Sequence, residues 1–323
     1  MLRRLLVLLT PWVALGLSLY AVDLPMFAVG PGPAREVVPR IDIDGTRTFD
    51  SRGRLLLTTV NVGRVNVFGA LDGWVDPKVD VVRERAILVP GQTDREYREE
   101  SSTDMDESKI AAVAFALRRL TDYPNVHGEG VLVQDVIEGA PASGRLFPGD
   151  VILSADGRSI ERVEGMRTAI GRAGTRRDLR LTVESVDERR TVTLRPIRRQ
   201  GEDAPIIGVV LVENFPFEIR IDSGEVGGPS AGLMWALGVV DLLTPGDLTS
   251  GRTVAGTGVI DLDGGVHAVG GIEHKIYAAE QAGAEIFLLP GANLADALRV
   301  AEDVDLVPVD RVDEALAYLE EGA

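Results

Sequence analysis

The pattern of hydrophobic and polar residues changes several times along the chain, and the first change lies close to the N-terminus. An uncharged apolar run extends from Leu5 to Val22, with two arginines before it and Asp23 after it. About 18 such residues are enough for a helix to span a bilayer. The positive-inside rule then places the N-terminus in the cytoplasm. We expect residues 1–22 to form a transmembrane anchor, with a cleaved signal peptide as the alternative.

The segments after this run predict an extended linker, then strands and one helix. Residues 23–40 are rich in proline and glycine, which predicts a linker that lifts the body off the membrane. From Arg54 onwards, alternating and β-branched residues predict strands. Apolar residues then recur at helical spacing within 106–120, which predicts a helix there.

The middle and the end of the chain have different textures. Residues 128–199 contain short β-rich runs between Gly, Pro and Asp-Gly turns, then a helical segment and a hairpin. This composition predicts a compact β-rich module. After Ala204, strand-like and helix-like segments are mixed, so we predict an α+β fold overall.

Length, charge and residue usage limit the classes of function. The 323 residues suit about two domains plus appendages. The net charge of −16 disfavours nucleic acid as a partner, because phosphate contacts need clustered cations. The absence of cysteine excludes disulfides and thiolate nucleophiles, and the three histidines are scattered. We therefore predict no metal and no cofactor.

One glycine-rich stretch presents a serine at the start of an apolar helix. Residues 225–239 read EVGGPSAGLMWALGV, so two glycines and Pro229 precede Ser230. A serine at this position is commonly a helix cap. A phosphate-binding loop is a weaker alternative, because no GxxxxGK[ST] motif is present. The third alternative is a nucleophile beside the unpaired N–H groups of a helix N-terminus, which suit an oxyanion.

A lysine lies on the apolar stripe of a later predicted helix. Ile272, Ile276 and Ala279 define that stripe, and Lys275 lies on the same side. A buried ammonium tends to lose its proton, and a neutral amine is what a serine nucleophile needs as its base. The alternative is a lysine at the rim of the stripe whose ammonium reaches solvent.

Taken together, these residues resemble the protease domain of the Lon family. The box Gly228-Pro229-Ser230-Ala231-Gly232 is similar to the family's nucleophile motif. The downstream pattern is matched by Thr257-Gly258, Gly264, Val266, Gly270-Gly271 and Lys275. An earlier helical motif of the family is matched by Met105, Glu107 and Ser108.

The resemblance implies a Ser–Lys dyad. Ser230 would attack a peptide carbonyl, Lys275 would take its proton, and Thr257 would orient Lys275. Backbone N–H groups near Ser230 would hold the oxyanion. His274 is expected outside the dyad, because adjacent helical residues point about 100° apart. The chain departs from the family at Gly227, where an acidic residue is common.

The middle module resembles a PDZ domain, which implies binding of extended peptide ends by strand addition. The resemblance places the carboxylate-binding loop near Gly128-Glu129-Gly130-Val131, although Glu129 replaces a usual apolar residue. Two alternatives stay open for the module: it recruits substrate, or it only packs and gates. We expect it to be inserted in the protease domain, with a separate N-terminal β domain as the alternative.

These inferences combine into one domain plan and one function. The plan has an anchor at 1–22, a linker at 23–40, a first protease part at 41–124, a PDZ domain at 125–200 and a catalytic part at 201–323. The expected function is ATP-independent hydrolysis of unfolded or flexible protein segments, since no Walker A motif is present. The predicted location is the cell membrane, single-pass, with an extracytoplasmic body. The alternatives are a noncatalytic PDZ scaffold and a protein that cleaves only itself. The resemblance also implies a homo-oligomer, such as a hexameric ring.

Overall fold

The structure is a computed structural model that describes residues 18–185, 188–199 and 204–321. Its helices are α1 (Val67–Val75), α2 (Asp94–Leu120), α3 (Val163–Ala173), α4 (Gly232–Leu243), α5 (Ile272–Gln281), α6 (Leu294–Ala297) and α7 (Val312–Glu321). Short 3₁₀ helices lie at Val38–Arg40, Glu84–Ala86, Pro229–Ala231 and Gly291–Asn293.

The strands fall into a small N-terminal group, a middle group and a C-terminal group. The N-terminal strands are β1 (Asp23–Pro31), β2 (Arg35–Glu36), β3 (Ile41–Ile43), β4 (Arg54–Leu57), β5 (Val60–Asn66) and β6 (Asp80–Arg83). The middle strands are β7 (Val131–Val136), β8 (Val151–Ala155), β9 (Arg158–Ser159), β10 (Leu179–Glu184), β11 (Arg189–Leu194) and β12 (Val209–Glu213). The C-terminal strands are β13 (Ile219–Ile221), β14 (Thr253–Gly256), β15 (Val259–Ile260), β16 (Val266–His267), β17 (Ile286–Pro290) and β18 (Asp305–Val309).

A five-stranded sheet of order β18-β17-β14-β4-β2 forms the centre of the larger part of the chain. Its strands run parallel except for β2 at one edge. Successive side chains of β4 alternate between two buried cores, with Leu55 and Leu57 in one and Leu56 in the other. The first core also contains residues of α2, α4 and α7, and the second contains residues of α5. A largely parallel sheet with helices on both faces is typical of α/β architecture, so the whole chain is mixed α/β.

Helix α2 is longer than the sequence pattern predicted. The polar residues before 106 continue the helix back to Asp94, because Thr93 and Glu96 form a capping box there. The Thr93 hydroxyl accepts from the Glu96 N–H, and the Glu96 carboxylate accepts from the Thr93 N–H. Only the second half, from Met105, is deeply buried. The first half is solvated on most of its surface, which is why periodicity did not reveal it.

The segment predicted as a linker is folded. Strand β1 pairs antiparallel with β5 and with β6, and the Phe27 side chain is buried. Its prolines are tolerated because Pro31 ends the strand and Pro25 lies within a register irregularity near its start. The expectation of an extended spacer over 23–40 was therefore wrong. Strand β1 instead forms a small sheet with the later strands β5 and β6, of order β5-β1-β6, with α1 packed against it.

The middle module has its own sheet and its own core. The sheet has the order β11-β10-β8-β7-β12, with β9 paired to β8. Its core is separate from the cores on the two faces of the five-stranded sheet and includes Val131, Ile152, Met166 and Ile207. The edge strand β12 comes from beyond residue 200, where the sequence placed the end of this module. The first core of the five-stranded sheet contains residues from both sides of the module, from Val37 to Tyr123 and from Ala231 to Leu319.

The location predicted from the sequence, a single pass through the cell membrane, needs correction. Throughout the described ranges, no helix combines enough length with enough apolar character to cross a bilayer. Residues 1–17, which hold most of the expected anchor, lie outside the described residues, and of the remainder only 18–21 are helical. Asp23 already opens β1. The single-pass prediction is therefore contradicted.

Candidate active site

The serine turn is built by one glycine in a conformation that other residues rarely adopt. Gly228 has a φ of +81°, and one 3₁₀ turn, Pro229–Ala231, follows it before α4 begins. The capping positions here are occupied by Gly228 and Ala231, and neither involves a side-chain hydrogen bond. The interpretation of Ser230 as a side-chain cap therefore does not describe this turn. Its half-buried hydroxyl points to a different partner.

That partner is the lysine singled out in the sequence. The Lys275 Nζ lies 2.6 Å from the Ser230 Oγ and 2.8 Å from the Thr257 Oγ1. Thus the structure brings together all three residues that the family resemblance implied. They come from three elements, since Ser230 precedes α4, Thr257 follows β14 and Lys275 is the fourth residue of α5.

The environment of Lys275 favours a neutral amine. The residue is 3% exposed, and burial lowers the pKa of its ammonium from 10.5 to about 7. Burial is the only cause of this shift, and among the described residues no Asp or Glu forms an ion pair with Lys275. A lysine with a pKa near neutrality can accept a proton at physiological pH. The alternative of a lysine at the rim with a solvated ammonium does not fit this burial.

Thr257 links the lysine to the backbone of the serine. Its hydroxyl accepts a hydrogen bond from the Lys275 Nζ and donates one to the Ser230 carbonyl oxygen, at 2.9 Å. The neighbouring Gly258 N–H donates to the same carbonyl at 2.8 Å. Thr257 is 1% exposed and lies at the carboxyl end of a parallel strand, where side chains of such sheets commonly converge on a site. The threonine therefore binds one N–H group of Lys275 and leaves the rest of the amine facing the Ser230 hydroxyl.

Helix α2 holds the serine turn from the opposite side. The Ser108 hydroxyl donates to the Pro229 carbonyl at 2.9 Å, and the Ser101 carbonyl accepts from the Gly228 N–H at 2.6 Å. Met105 lies below the turn, where its sulfur accepts the indole N–H of Trp235 at 3.4 Å. The sequence had indicated Met105 and Ser108 only by resemblance. It gave no signal for Ser101, whose contribution is a backbone carbonyl.

The same helix explains the glycine at 227. A Cβ placed on Gly227 would lie 2.8 Å from the Ser101 Cβ and 3.2 Å from the Ser101 carbonyl oxygen. Both atoms are close to the backbone of α2, so neither can move without moving the helix. An acidic side chain at 227 is therefore incompatible with the way α2 packs here.

The third helical motif residue, Glu107, belongs to a carboxyl cluster between α2 and β7. Burial, together with the hydrogen bond and the charge of Asp135, raises the pKa of the Glu107 carboxyl to about 8. Burial likewise raises the pKa of Asp104, one turn earlier. Because Glu107 precedes Ser108 in α2, this cluster lies beside the residue that holds the serine turn.

The histidines lie away from the dyad. His267 pairs with Asp261 on the surface, at 2.8 Å, and His127 contacts the Gly128 carbonyl. His274 is buried, but its ring points to Lys78 and Asp80. The protonation chemistry of this site thus involves no imidazole within hydrogen-bond reach of Ser230 among the described residues.

A groove crosses the PDZ-like module between α3 and β12. It has a volume of about 470 Å³, and its walls are apolar apart from Arg167. One wall is formed by Val163, Arg167, Ile170 and Gly171 of α3, and the other by residues 204–211. In the described part of the sheet, β12 pairs with β7 alone, so its second edge faces this groove. The expected carboxylate loop at 128–131 lies elsewhere, where the Gly128 N–H donates to the Asn214 carbonyl.

Comparisons with known proteins assign both parts of the chain. Residues 206–320 match the Lon protease (S16) C-terminal proteolytic domain, and residues 105–195 match a PDZ domain. Neither match covers residues 23–90.

Two curated relatives illustrate the likeness. The Lon protease of Roseiflexus castenholzii is 38% identical over 104 residues, which are 30% of this chain and 13% of that protein. The peroxisomal Lon protease homolog 2 of Caenorhabditis briggsae is 32% identical over 127 residues, which are 38% of this chain and 16% of that protein. The chain thus spans less than a fifth of the length of these relatives.

Among solved structures, the PDZ domain of an SdrC-like protein from Listeria monocytogenes is similar to part of the chain. It is 23% identical, covers 27% of this chain and 92% of its own, and has a TM-score of 0.25. The family matches and the names of the relatives together support a serine peptidase with a Lon-type proteolytic domain at residues 206–320 and a PDZ domain before it.

Proposed function

We propose that this chain is an endopeptidase that hydrolyses peptide bonds in unfolded or flexible protein segments without ATP, with Ser230 as nucleophile and Lys275 as general base. The observation that carries the proposal is the 2.6 Å contact between the Ser230 hydroxyl and a lysine that is 3% exposed and has no carboxylate partner in the described ranges. A structural lysine gains nothing from such a position, because burying a cation without a counter-charge is costly.

The proposed reaction begins with neutral Lys275. Its lone pair accepts the Ser230 hydroxyl proton while one of its N–H groups stays bound to Thr257. The Ser230 oxygen then attacks the substrate carbonyl, and N–H groups at the start of α4 stabilise the resulting oxyanion. Lys275 passes the proton to the leaving amine, which breaks the peptide bond and leaves an ester on Ser230. Water hydrolyses that ester with Lys275 again acting as base.

The groove between α3 and β12 is the proposed recruitment site for substrate. An extended segment that adds to the second edge of β12 would gain main-chain hydrogen bonds and an apolar helix face. The proposal thus puts peptide binding at residues 204–211, whereas the family resemblance implied a carboxylate loop at residues 128–131. It also favours recruitment over simple packing as the role of the module. Assembly into a ring stays a prediction from the family resemblance, testable by the mass of the purified chain in light scattering.

The decisive experiment measures digestion of fluorescently labelled casein by the full chain in the absence of nucleotide. Ser230→Ala and Lys275→Ala should each abolish turnover, whereas Ser143→Ala, at an exposed serine of the PDZ module, should leave it unchanged. Turnover by Ser230→Ala equal to that of the unmodified chain would refute the nucleophile. Absence of turnover in every form, with intact folding, would favour the noncatalytic scaffold.

A further inference from the structure

His274 lies directly before Lys275 in α5, yet its side chain contacts a different part of the molecule. The imidazole Nδ1 lies 3.2 Å from the Lys78 carbonyl oxygen, and Nε2 lies 3.2 Å from an Asp80 carboxylate oxygen. His274 is 5% exposed. Within one turn of α5, the Lys275 side chain therefore points towards Ser230 and the His274 side chain towards the small N-terminal sheet.

Both neighbours of the imidazole are acceptors. The Lys78 carbonyl and the Asp80 carboxylate lie opposite different ring nitrogens, so the imidazole links α5 to two oxygen atoms of the 78–80 segment.

Other contacts hold the same turn of α5 against the small sheet. Gly271, which precedes α5, has a φ of +65°, and a Cβ placed there would lie 3.1 Å from the Val60 side chain of β5. The Lys78 ammonium over Tyr277 adds a contact one turn further along the helix. The first turns of α5 thus lie against Val60, Lys78 and Asp80, in a segment that neither family match covers.

We propose that His274 is a positioning residue for Lys275: by binding the 78–80 segment, it holds the first turns of α5 so that the Lys275 amine stays dehydrated and within reach of the Ser230 hydroxyl. The small N-terminal sheet would then help to keep Lys275 neutral. The expected effect on catalysis rests on the proposed function, whereas the expected effect on the hydration of Lys275 does not.

The chain offers a direct way to test it, because its only lysines are Lys78, Lys109 and Lys275. Lysine labelled with ¹³C at Cε gives one signal per residue in the full chain, assigned with Lys78→Arg and Lys109→Arg variants. Loss of the contacts between His274 and the 78–80 segment should admit water to Lys275 and raise its titration midpoint by about one pH unit or more. His274→Phe removes both ring contacts, Asp80→Asn weakens one of them, and His127→Phe is the matched control.

We expect His274→Phe to raise the Lys275 midpoint, Asp80→Asn to raise it less, and His127→Phe to leave it unchanged. The rise of kcat/KM with pH should move by the same amount, and kcat at pH 7 should fall about tenfold with little change in KM. An unshifted Lys275 midpoint in a folded His274→Phe variant would overturn the inference. The NMR midpoint is read without catalysis, so failure of the proposed function, seen as no Ser230-dependent hydrolysis, stays distinguishable.

Discussion

The proposed chemistry depends on the protonation of one side chain, Lys275. Its ammonium is penalised by burial and is not compensated by a carboxylate in the part of the chain that the structure describes. Thr257 and Ser230 supply neutral hydroxyl partners, which can hydrogen-bond to the amine in either protonation state. The residue is therefore suited to exchange a proton near neutral pH.

The pH dependence of activity follows from that pKa of about 7. Lys275 works as a base only when neutral, so activity should rise with pH and increase about tenfold between pH 6 and pH 8. The measurement is kcat/KM for a peptide substrate across this range. Lys275→Arg, which keeps the length and the charge but cannot lose its proton, should show no activity at any of these values. A profile that is flat from pH 6 to pH 8 would exclude Lys275 as the base.

A second residue-scale prediction concerns Glu107, whose pKa is raised from 4.5 to about 8. Between these values the folded chain holds a proton that the unfolded chain has released, so the free energy of unfolding should fall as pH rises. Glu107→Gln, which cannot ionise, should make Tm decline less between pH 5 and pH 8. Glu99→Gln on the exposed part of α2 is the control and should retain the full decline. Equal declines in all three forms would show that Glu107 ionises normally.

At the scale of elements, α2 acts as a support for the serine turn. Its Ser101 carbonyl and Ser108 hydroxyl bind the backbone on either side of the turn, at Gly228 and Pro229. The support is rigid because residues from Met105 onwards are buried in the protease core. A helix packed this closely leaves no room for a side chain at Gly227.

This close packing predicts that Gly227→Ala destabilises the chain by about 1–3 kcal/mol, because its Cβ would overlap α2. Activity should fall as well, since relief of the overlap must shift the serine turn. Ser101→Gly removes the nearest obstructing atom, so the double variant should recover part of the lost stability beyond what additivity allows. Urea unfolding and casein digestion of the four forms provide the cycle. Strict additivity would show that the two residues do not compete for the same space.

At the scale of the whole molecule, β12 joins the two functional parts. It completes the PDZ sheet and lines the groove, and the chain then continues through β13 to the serine turn. A peptide held against β12 would lie on the segment that leads to Ser230. Recruitment and cleavage are therefore expected to be separable in their effects on KM and kcat.

Charge reversal in the groove tests that separation. Arg167 is the only charged residue lining the groove in the described structure, so Arg167→Glu should disfavour a bound peptide carboxylate without disturbing the core. We expect KM for a protein substrate to rise about tenfold, while kcat/KM for a short peptide that fits only the dyad stays unchanged. Arg172→Glu, on α3 but outside the groove, is the control. An equal loss with both substrates would show that the substitution acts on the protease part instead.

Local patterns in the sequence were enough for several of these features. The spacing of apolar residues indicated the buried second half of α2, the apolar helix after Ser230 and the stripe that carries Lys275. The glycine-rich approach to Ser230 and the order of motif residues up to Lys275 indicated which side chains to examine. Such features are readable because each depends on contacts within a few residues or on a motif with fixed spacing.

Other features depend on contacts between distant segments, and only the tertiary structure decided them. Residues 23–40 were misread as a linker because their prolines indicate an extended segment, whereas the pairing of β1 with β5 and β6 involves residues far along the chain. Strand β12 lies within the residues predicted as the catalytic part, yet it pairs with β7 of the middle sheet, and the sequence could not show this because an edge strand is defined by its partner. The need for glycine at 227 became visible only when Ser101, 126 positions earlier, lay against it. The sequence by itself determined which residues carry the proposed chemistry. The burial that lowers the pKa of Lys275 and the contacts of His274 with the 78–80 segment arise from long-range packing, which no local pattern encodes.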